Sequence, residues 1–303
     1  MAAADRAAVA DEVWRGCIPV CLRSGGEDRP LYAMVPRLAY LPTLEAQLAR
    51  HFREAPAPAP APQHDDGARA PSLADSDYFA AVSPSARSAA AEEPRNERRE
   101  ETGLWFCDGA GAPVPWDMPL GAALDAAALA GPVALPWELG ARFRGAPADH
   151  VACEEQGCCF KAFYHALKQA VHLERGTARA ALTLPRVDQE ALWAALNAGD
   201  RGAFAERDLA PVDAPRHVPV RLLFRGCPPV QLPLAPVAGD GAPATLATAL
   251  GPAVEARLGV AVGGCVAVAH GVALPWDMEL LDAWRNLHYG DHFLYLAVAR
   301  RPP

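Results

Sequence analysis

The sequence predicts an α+β protein in which two units of similar element order flank a helix-rich middle segment. A hairpin pattern of apolar strand residues around a turn occurs near each end of the chain, followed in both cases by helical spacing. The tetrapeptide Pro-Trp-Asp-Met occurs at residues 115–118 and again at 275–278, each time before a short helical stretch and a closing strand. A repeat at the same place in two units indicates two copies of one fold.

In the first unit, alternating apolar residues predict a strand over residues 13–22 and a second over 31–36, joined by a Ser-Gly-Gly turn. Pro36 places the end of the second strand at an edge or a bulge. Residues 42–52 change to helical spacing, with Leu44, Leu48 and Phe52 on one face.

The composition changes at Ala55. Residues 55–102 are rich in Ala, Pro, Ser and mixed charge. Such a stretch buries too little apolar surface to offset the entropy lost on ordering, so it is predicted to be a disordered insertion in the first unit. Closure entropy rises only slowly with loop length, which makes an insertion of this size tolerable.

After the insertion, strands are predicted at 104–106 and at 135–143, with an Ala-rich helix over 120–129 between them. A hairpin packed on one helix and joined to further strands is an α+β arrangement with the helix on one face of the sheet. This order of elements matches a ubiquitin-like β-grasp.

The middle segment is predicted to be helical over residues 160–173. A second helix is expected after Pro185 with Asp188 as its N-cap, and a third opened by Asp200. From residue 218 the first pattern returns. The predicted elements of the second unit are a hairpin over 218–225 and 230–234, a helix over 245–258, a strand over 265–270, a short helix around Leu280 and a strand over 293–298. The predicted domains are residues 10–145, 150–212 and 216–301.

Length and charge restrict the function classes. The 303 residues and 51% hydrophobic content allow two or three domains with cores of their own, and the net charge of −8 disfavours nucleic-acid binding. No apolar run approaches the roughly 20 residues of a membrane span, and the first residues lack a secretory signal pattern. A cytoplasmic protein is therefore expected.

The eight cysteines do not resemble a disulfide framework and are expected to be reduced thiols. Cys153, Cys158, Cys159 and His165 are metal-type ligands, but they lack the paired spacing of a zinc site, so no metal is expected. The Cys158-Cys159 pair remains open as a thioester-forming nucleophile. No phosphate-binding loop, dinucleotide fingerprint or serine-nucleophile motif is present, so neither a cofactor nor enzyme activity is expected.

The chain contains only two lysines, Lys161 and Lys168, and every other basic side chain is arginine. A guanidinium remains protonated, whereas a lysine amine can lose its proton and attack an acyl group. Both lysines lie on one edge of the apolar face of the predicted helix. That face contains Phe160, Phe163, Tyr164, Leu167 and Val171.

The chain ends with two arginines and two prolines directly after a strand, without the flexible glycine tail of a ubiquitin-like modifier. If its folds are ubiquitin-like, the chain is expected to be an acceptor of a modifier rather than the modifier itself.

Several motifs together resemble one known family. They are Val13-Trp14-Arg15-Gly16-Cys17-Ile18-Pro19, residues 31–52 around Pro36-Arg37, Pro113-Val114-Pro115-Trp116, Leu135-Pro136-Trp137, residues 163–168, Leu192-Trp193 and residues 236–241. By these motifs the sequence is similar to the autophagy protein 5 family over the whole chain except the insertion. The resemblance implies two ubiquitin-like domains flanking a helix-rich middle, in agreement with the pattern of elements.

The resemblance also implies a function. Leu167-Lys168-Gln169-Ala170, with Phe163 in register, matches the motif of the family's conjugated lysine, so Lys168 is the expected isopeptide acceptor for the ubiquitin-like autophagy protein 12. E1-like and E2-like enzymes would form the bond. The conjugate, with the coiled-coil autophagy protein 16, would act as an E3-like factor for lipidation of autophagy protein 8 at the phagophore membrane. The alternative is an unconjugated binding module of two ubiquitin-like domains.

Overall fold

The structure, a computed structural model, describes residues 3–24, 29–52, 102–147, 150, 152–153 and 157–301. The α-helices are α1 (Ala3–Arg15), α2 (Glu45–Phe52), α3 (Leu120–Ala128), α4 (Cys158–Arg175), α5 (Arg179–Leu182), α6 (Arg186–Ala198), α7 (Arg201–Ala205), α8 (Leu246–Leu258) and α9 (Leu280–Leu287). The strands are β1 (Cys17–Ser24), β2 (Leu31–Pro36), β3 (Thr102–Cys107), β4 (Pro113–Val114), β5 (Trp137–Arg144), β6 (Val218–Leu223), β7 (Val230–Leu234), β8 (Cys265–Ala269), β9 (Val272–Leu274) and β10 (Leu294–Arg300). The predicted insertion, 55–102, lies outside the described residues apart from Thr102.

The first five strands form one mixed sheet in the order β2-β1-β5-β3-β4. Strand β1 pairs antiparallel with β2 and parallel with β5, with Val20 opposite Trp137 in the parallel pair. Helix α2 follows the first hairpin and buries Leu48 and Phe52. A hairpin, a helix and a parallel central pair are the arrangement of a β-grasp, so the predicted ubiquitin-like fold of the first unit is confirmed.

The second sheet repeats this topology in the order β7-β6-β10-β8-β9, with β6 and β10 as the parallel central pair. Helix α8 follows its hairpin, and its N-cap is Thr245, whose side chain accepts a hydrogen bond from the Thr248 N–H in a reciprocal capping box. Both Pro-Trp-Asp-Met copies lie between the last hairpin strand and a helix of their unit. The repeat therefore marks equivalent positions in two β-grasp units.

Helices α4–α7 form the middle segment, and α4 is its central element. The buried residues Phe163, Leu167 and Val171 of α4 belong to the same hydrophobic core as the first sheet, while the second sheet has a core of its own around Trp284. Helix α4 also contacts β6, and α3 contacts β10. The three parts of the chain are thus packed against one another.

Two element predictions need correction. Val13 and Trp14 belong to α1 rather than to a strand, because Trp14 packs on Phe204 with 4.9 Å between ring centroids and this contact accounts for its apolar character. The N-cap of α6 is Pro185, and Asp188 lies inside the first turn. Asp200 does cap α7, accepting a hydrogen bond from the Ala203 N–H, as predicted.

The prediction that all eight cysteines are reduced thiols is wrong for one pair. Cys153 and Cys158 form a disulfide, and the other six cysteines are free. Cys153 also pairs with Leu104 of β3 through two backbone hydrogen bonds of 2.8 and 3.0 Å. The bond therefore ties the start of α4 to the first sheet, a proximity that sequence spacing alone did not reveal. Within the described residues, no helix has the length and apolar content needed to cross a membrane.

Candidate functional site

Helix α4 carries the predicted acceptor and is bounded at both ends by glycine. Gly157 and Gly176 adopt left-handed conformations, with φ of 95° and 74°, which cost glycine little because it has no Cβ. The Gly176 N–H donates to the carbonyl of His172 and closes the last turn. The helix therefore has defined ends, and the lysines occupy fixed positions between them.

The second half of α4 is hydrogen-bonded to the second unit. The Arg216 N–H donates to the Glu174 carbonyl at 2.7 Å, and the His217 N–H donates to the Leu173 carbonyl at 3.1 Å. Nearer the lysine, the Arg221 guanidinium of β6 donates to the Gln169 side-chain oxygen at 3.0 Å. These three hydrogen bonds fix the last two turns of α4 against the second unit.

Lys168 is partly buried at the edge of the apolar face, and Lys161 is exposed two turns earlier. The Lys168 Nζ lies 5.4 Å from the centroid of the Tyr164 ring. Burial lowers the pKa of Lys168 below the ordinary value of 10.5. Among the described residues, no carboxylate lies within ion-pair distance of this amine. The amine is therefore easier to deprotonate than an exposed lysine.

His165 lies on α4 between the two lysines and is exposed. Partial burial of its ring lowers its pKa below 6.5, and the positive charges of Lys168 and Lys161 lower it further. The imidazole is consequently neutral at physiological pH. It therefore adds no positive charge beside the two lysine amines.

A row of aromatic side chains lies beside Lys168. The rings of Phe160 and Tyr164 are stacked with centroids 6.0 Å apart, and Phe160 meets Trp193 of α6 edge-on at 5.9 Å. The Tyr164 hydroxyl donates a hydrogen bond to the carbonyl of Ala181 in α5. These contacts join three helices of the middle segment next to the predicted acceptor.

The cysteines of α4 are poorly suited to form a thioester. Cys158 is held in the disulfide, and Cys159 is buried with its pKa raised to about 11 by that burial. A thioester-forming cysteine needs an accessible thiolate. In the described part of the chain, no group of three or more His, Cys, Asp or Glu side chains is arranged to hold a metal ion.

A buried charged cluster beneath α4 was missed by sequence reasoning. His292 donates to Glu174 through Nδ1 at 2.8 Å and to Asp208 through Nε2 at 3.1 Å. Burial opposes the charged ring, but Asp208 and Glu174 outweigh that effect and raise the pKa of His292 to about 10. The three residues come from separate parts of the chain, so their spacing gives no signal.

An apolar cleft of about 600 Å³ lies between α1 and the second unit. Its apolar walls are Val9, Val13, Ala269, Val272, Leu274 and Leu287. Arg37 and His270 also line the cleft, together with the charged residues Asp11, Glu12 and Arg15 of α1. Val272 is 59% exposed at this cleft.

The comparisons with known proteins match this architecture part by part. The family model "Autophagy protein ATG5, alpha-helical bundle region" matches residues 158–206, and "Autophagy protein ATG5, UblB domain" matches residues 217–298. The "Autophagy protein 5" of Aspergillus terreus is 25% identical, with 94% of this chain and 95% of the relative covered. By these matches the chain is similar to autophagy protein 5 in its helical middle segment, in its second unit and along most of its length.

Further similarities agree with this family. The "Autophagy protein 5" of Arabidopsis thaliana is 24% identical over 63% of this chain and 46% of its own length. The crystal structure of Kluyveromyces marxianus Atg5 superposes with a TM-score of 0.66 at 17% identity, covering 97% of this chain and all of that one. That likeness confirms the predicted fold class of two ubiquitin-like units flanking a helical middle. The similarities to autophagy protein 5 support an autophagy protein.

Proposed function

We propose that the chain is a non-catalytic scaffold of autophagy conjugation that is linked covalently through Lys168 to autophagy protein 12. The observation that carries this proposal is the environment of Lys168. It is one of two lysines, its amine is partly buried with a lowered pKa, and its helix is hydrogen-bonded to the second unit. A nucleophilic amine needs both partial deprotonation and a defined position.

The chemistry is aminolysis of a thioester held by the E2-like enzyme. The neutral Lys168 amine attacks the carbonyl carbon, the carbon–sulfur bond breaks, and the thiolate leaves as the isopeptide bond forms. The amine proton passes to solvent. The chain contributes position alone, which can account for several kcal/mol of a reaction barrier. No cofactor or metal takes part in this step.

The conjugate would bind the coiled-coil autophagy protein 16 without a covalent bond. Together they would act as an E3-like factor that promotes lipidation of autophagy protein 8 during autophagosome formation. The E1-like and E2-like enzymes are transient partners. The protein would be cytoplasmic and would be recruited to the phagophore membrane through this complex. It would not bind nucleic acid.

The proposal is tested by conjugation in a mixture of purified autophagy protein 12 and its E1-like and E2-like enzymes. We expect wild type and Lys161→Arg to give a shifted band on a reducing gel, and Lys168→Arg to give none. An arginine keeps the positive charge but cannot act as the nucleophile at this pH. Lys161→Arg is the matched control because it makes the same change on the same helix.

Other outcomes favour the alternatives. A band in Lys168→Arg that disappears in Lys161→Arg would move the acceptor to Lys161. A band that is lost on adding thiol reductant would indicate a thioester at a cysteine instead of an isopeptide bond. If Lys168→Arg supports undiminished autophagosome formation in cells, the chain is better described as an unconjugated two-domain binding module.

The cleft between α1 and the second unit suits the apolar face of a partner helix, and we assign it to autophagy protein 16. Amphipathic helices bind apolar grooves through side chains spaced three and four residues apart. The valine and leucine walls of the cleft supply such a groove, and Asp11, Glu12 and Arg15 supply charged groups for the polar face of the helix.

Val272→Asp is expected to weaken binding of the autophagy protein 16 helix by about tenfold or more, because a carboxylate would be desolvated in an apolar contact. Fluorescence anisotropy of a labelled partner helix measures this change. Val237→Asp is the matched control, since Val237 is an exposed valine of the same unit that does not line the cleft. Equal affinities for the two variants would contradict the assignment.

A further inference from the structure

Tyr164 lies one helical turn before Lys168 on the same side of α4. Residues four apart on a helix are neighbours on its surface, and the Lys168 amine is 5.4 Å from the centre of the tyrosine ring. The lysine side chain thus runs along the ring.

The tyrosine ring is itself held in place. Its hydroxyl donates to the Ala181 carbonyl, and its face stacks on Phe160 with only 17° between the ring planes. Phe160 in turn contacts Trp193. Burial raises the pKa of Tyr164, so the phenol remains protonated and keeps its donor. A ring fixed by two contacts can restrict a flexible lysine, whose rotamer entropy is otherwise large.

The other charged groups near the amine do not provide this restraint. His165 is neutral at physiological pH, and Lys161 carries the same charge as Lys168. The guanidinium of Arg221 bonds to Gln169, Gln231 and Tyr295. The amine therefore has an aromatic neighbour and no carboxylate partner in the described residues.

We propose that Tyr164 is a positioning residue for the acceptor, holding the Lys168 side chain against α4 and keeping water from one side of its amine. The proposal rests on the proposed function in that the restrained amine is taken to be the nucleophile. The ring has two opposite effects on the pKa of Lys168. Its face attracts the ammonium form, whereas its bulk excludes the water that would solvate that form. At 5.4 Å the amine is near the limit of the cation–π range, so exclusion of water is the larger effect.

Competitive acetylation with acetic anhydride tests this without any conjugation enzyme. The two lysines fall in the same protein, so Lys161 serves as an internal standard, and mass spectrometry follows both across a series of pH values. In Tyr164→Ala we expect the Lys168 rate relative to Lys161 to fall about threefold near neutral pH, with its pH profile moved to higher pH. Tyr164→Phe keeps the ring and its stacking on Phe160 but loses the bond to Ala181, and it is expected to lie much closer to wild type than Tyr164→Ala does. Alanine favours the helix, so α4 should persist in the variant.

Conjugation by the E1-like and E2-like enzymes gives the second measurement. Single-turnover transfer to Lys168 is expected to fall about threefold to tenfold in Tyr164→Ala and to be retained in Tyr164→Phe. An unchanged Lys168 profile in Tyr164→Ala would overturn the proposal, as would a profile moved to lower pH, which would show that the ring mainly stabilises the ammonium. If acetylation responds as expected but wild type forms no conjugate, the proposed function fails and the positioning role of Tyr164 stands.

Discussion

His292→Ala is expected to lower the free energy of unfolding by about 3–5 kcal/mol. The histidine is fully buried and hydrogen-bonded on both ring nitrogens, to Glu174 and to Asp208. Removing it leaves two carboxylates in the interior without their cation, and breaking a buried ion pair by deleting one partner is far more destabilising than deleting an exposed one. The substitution also removes the hydrogen bonds that connect α4 and the segment after α7 to the residues just before β10.

Urea unfolding followed by tryptophan fluorescence measures this effect. His165→Ala is the matched control, because it is the same substitution at an exposed position of α4, and surface changes of this kind are usually within about 0.5 kcal/mol of wild type. A similar urea midpoint for the two variants would show that the cluster contributes little to stability.

The same cluster predicts how stability changes with pH. The pKa of His292 is about 10 in the folded chain and about 6.5 for an ordinary histidine, so its contribution is complete below pH 6.5. That contribution is lost as the pH rises from 6.5 towards 10. Unfolding measured across this range should show a decline in wild type that is absent from His292→Ala, and parallel curves would contradict the assignment.

Local sequence patterns were sufficient to predict much of the fold. The Pro-Trp-Asp-Met repeat and the two hairpin patterns predicted two β-grasp units, and Asp200 identified the start of α7 correctly. Helix α1 was missed because Trp14 looks like a strand residue until its contact with Phe204, far along the chain, is known. Local patterns cannot report a tertiary contact of this kind.

In the candidate site, too, local patterns identified single residues but not the contacts between distant ones. Lys168 was identified by its residue type, its place on the apolar face of α4 and a family resemblance, and it remains a prediction. The clusters that anchor its helix were not predictable, because Glu174 and His292 are 118 residues apart and Arg221 is 52 residues from Gln169. The disulfide of Cys153 and Cys158 was also missed, since cysteine spacing gave no reason to pair them.

A second large effect is expected where the two ubiquitin-like units meet. Asp125 of α3 accepts a hydrogen bond from the Arg37 guanidinium at 2.6 Å and another from the Gly271 N–H at 3.2 Å. Asp125 is 5% exposed, and Gly271 lies in the turn between β8 and β9 of the other unit. One carboxylate thus joins the first unit to the second beside the proposed partner cleft.

Asp125→Ala is expected to lower the free energy of unfolding by about 3 kcal/mol, because it leaves the Arg37 charge without its carboxylate and the Gly271 N–H without its acceptor. Asp125 itself does not line the cleft. Its partner Arg37 does, and so does His270, the neighbour of Gly271 in the second unit. Binding of the autophagy protein 16 helix should therefore weaken as well, through a change in cleft geometry, while conjugation at Lys168 continues.

Urea unfolding measures the stability of Asp125→Ala, fluorescence anisotropy measures its affinity for the partner helix, and the reducing gel measures conjugation. Asp117→Ala is the control, because Asp117 is exposed. Loss of stability with unchanged helix affinity would place the partner elsewhere than between α1 and the second unit.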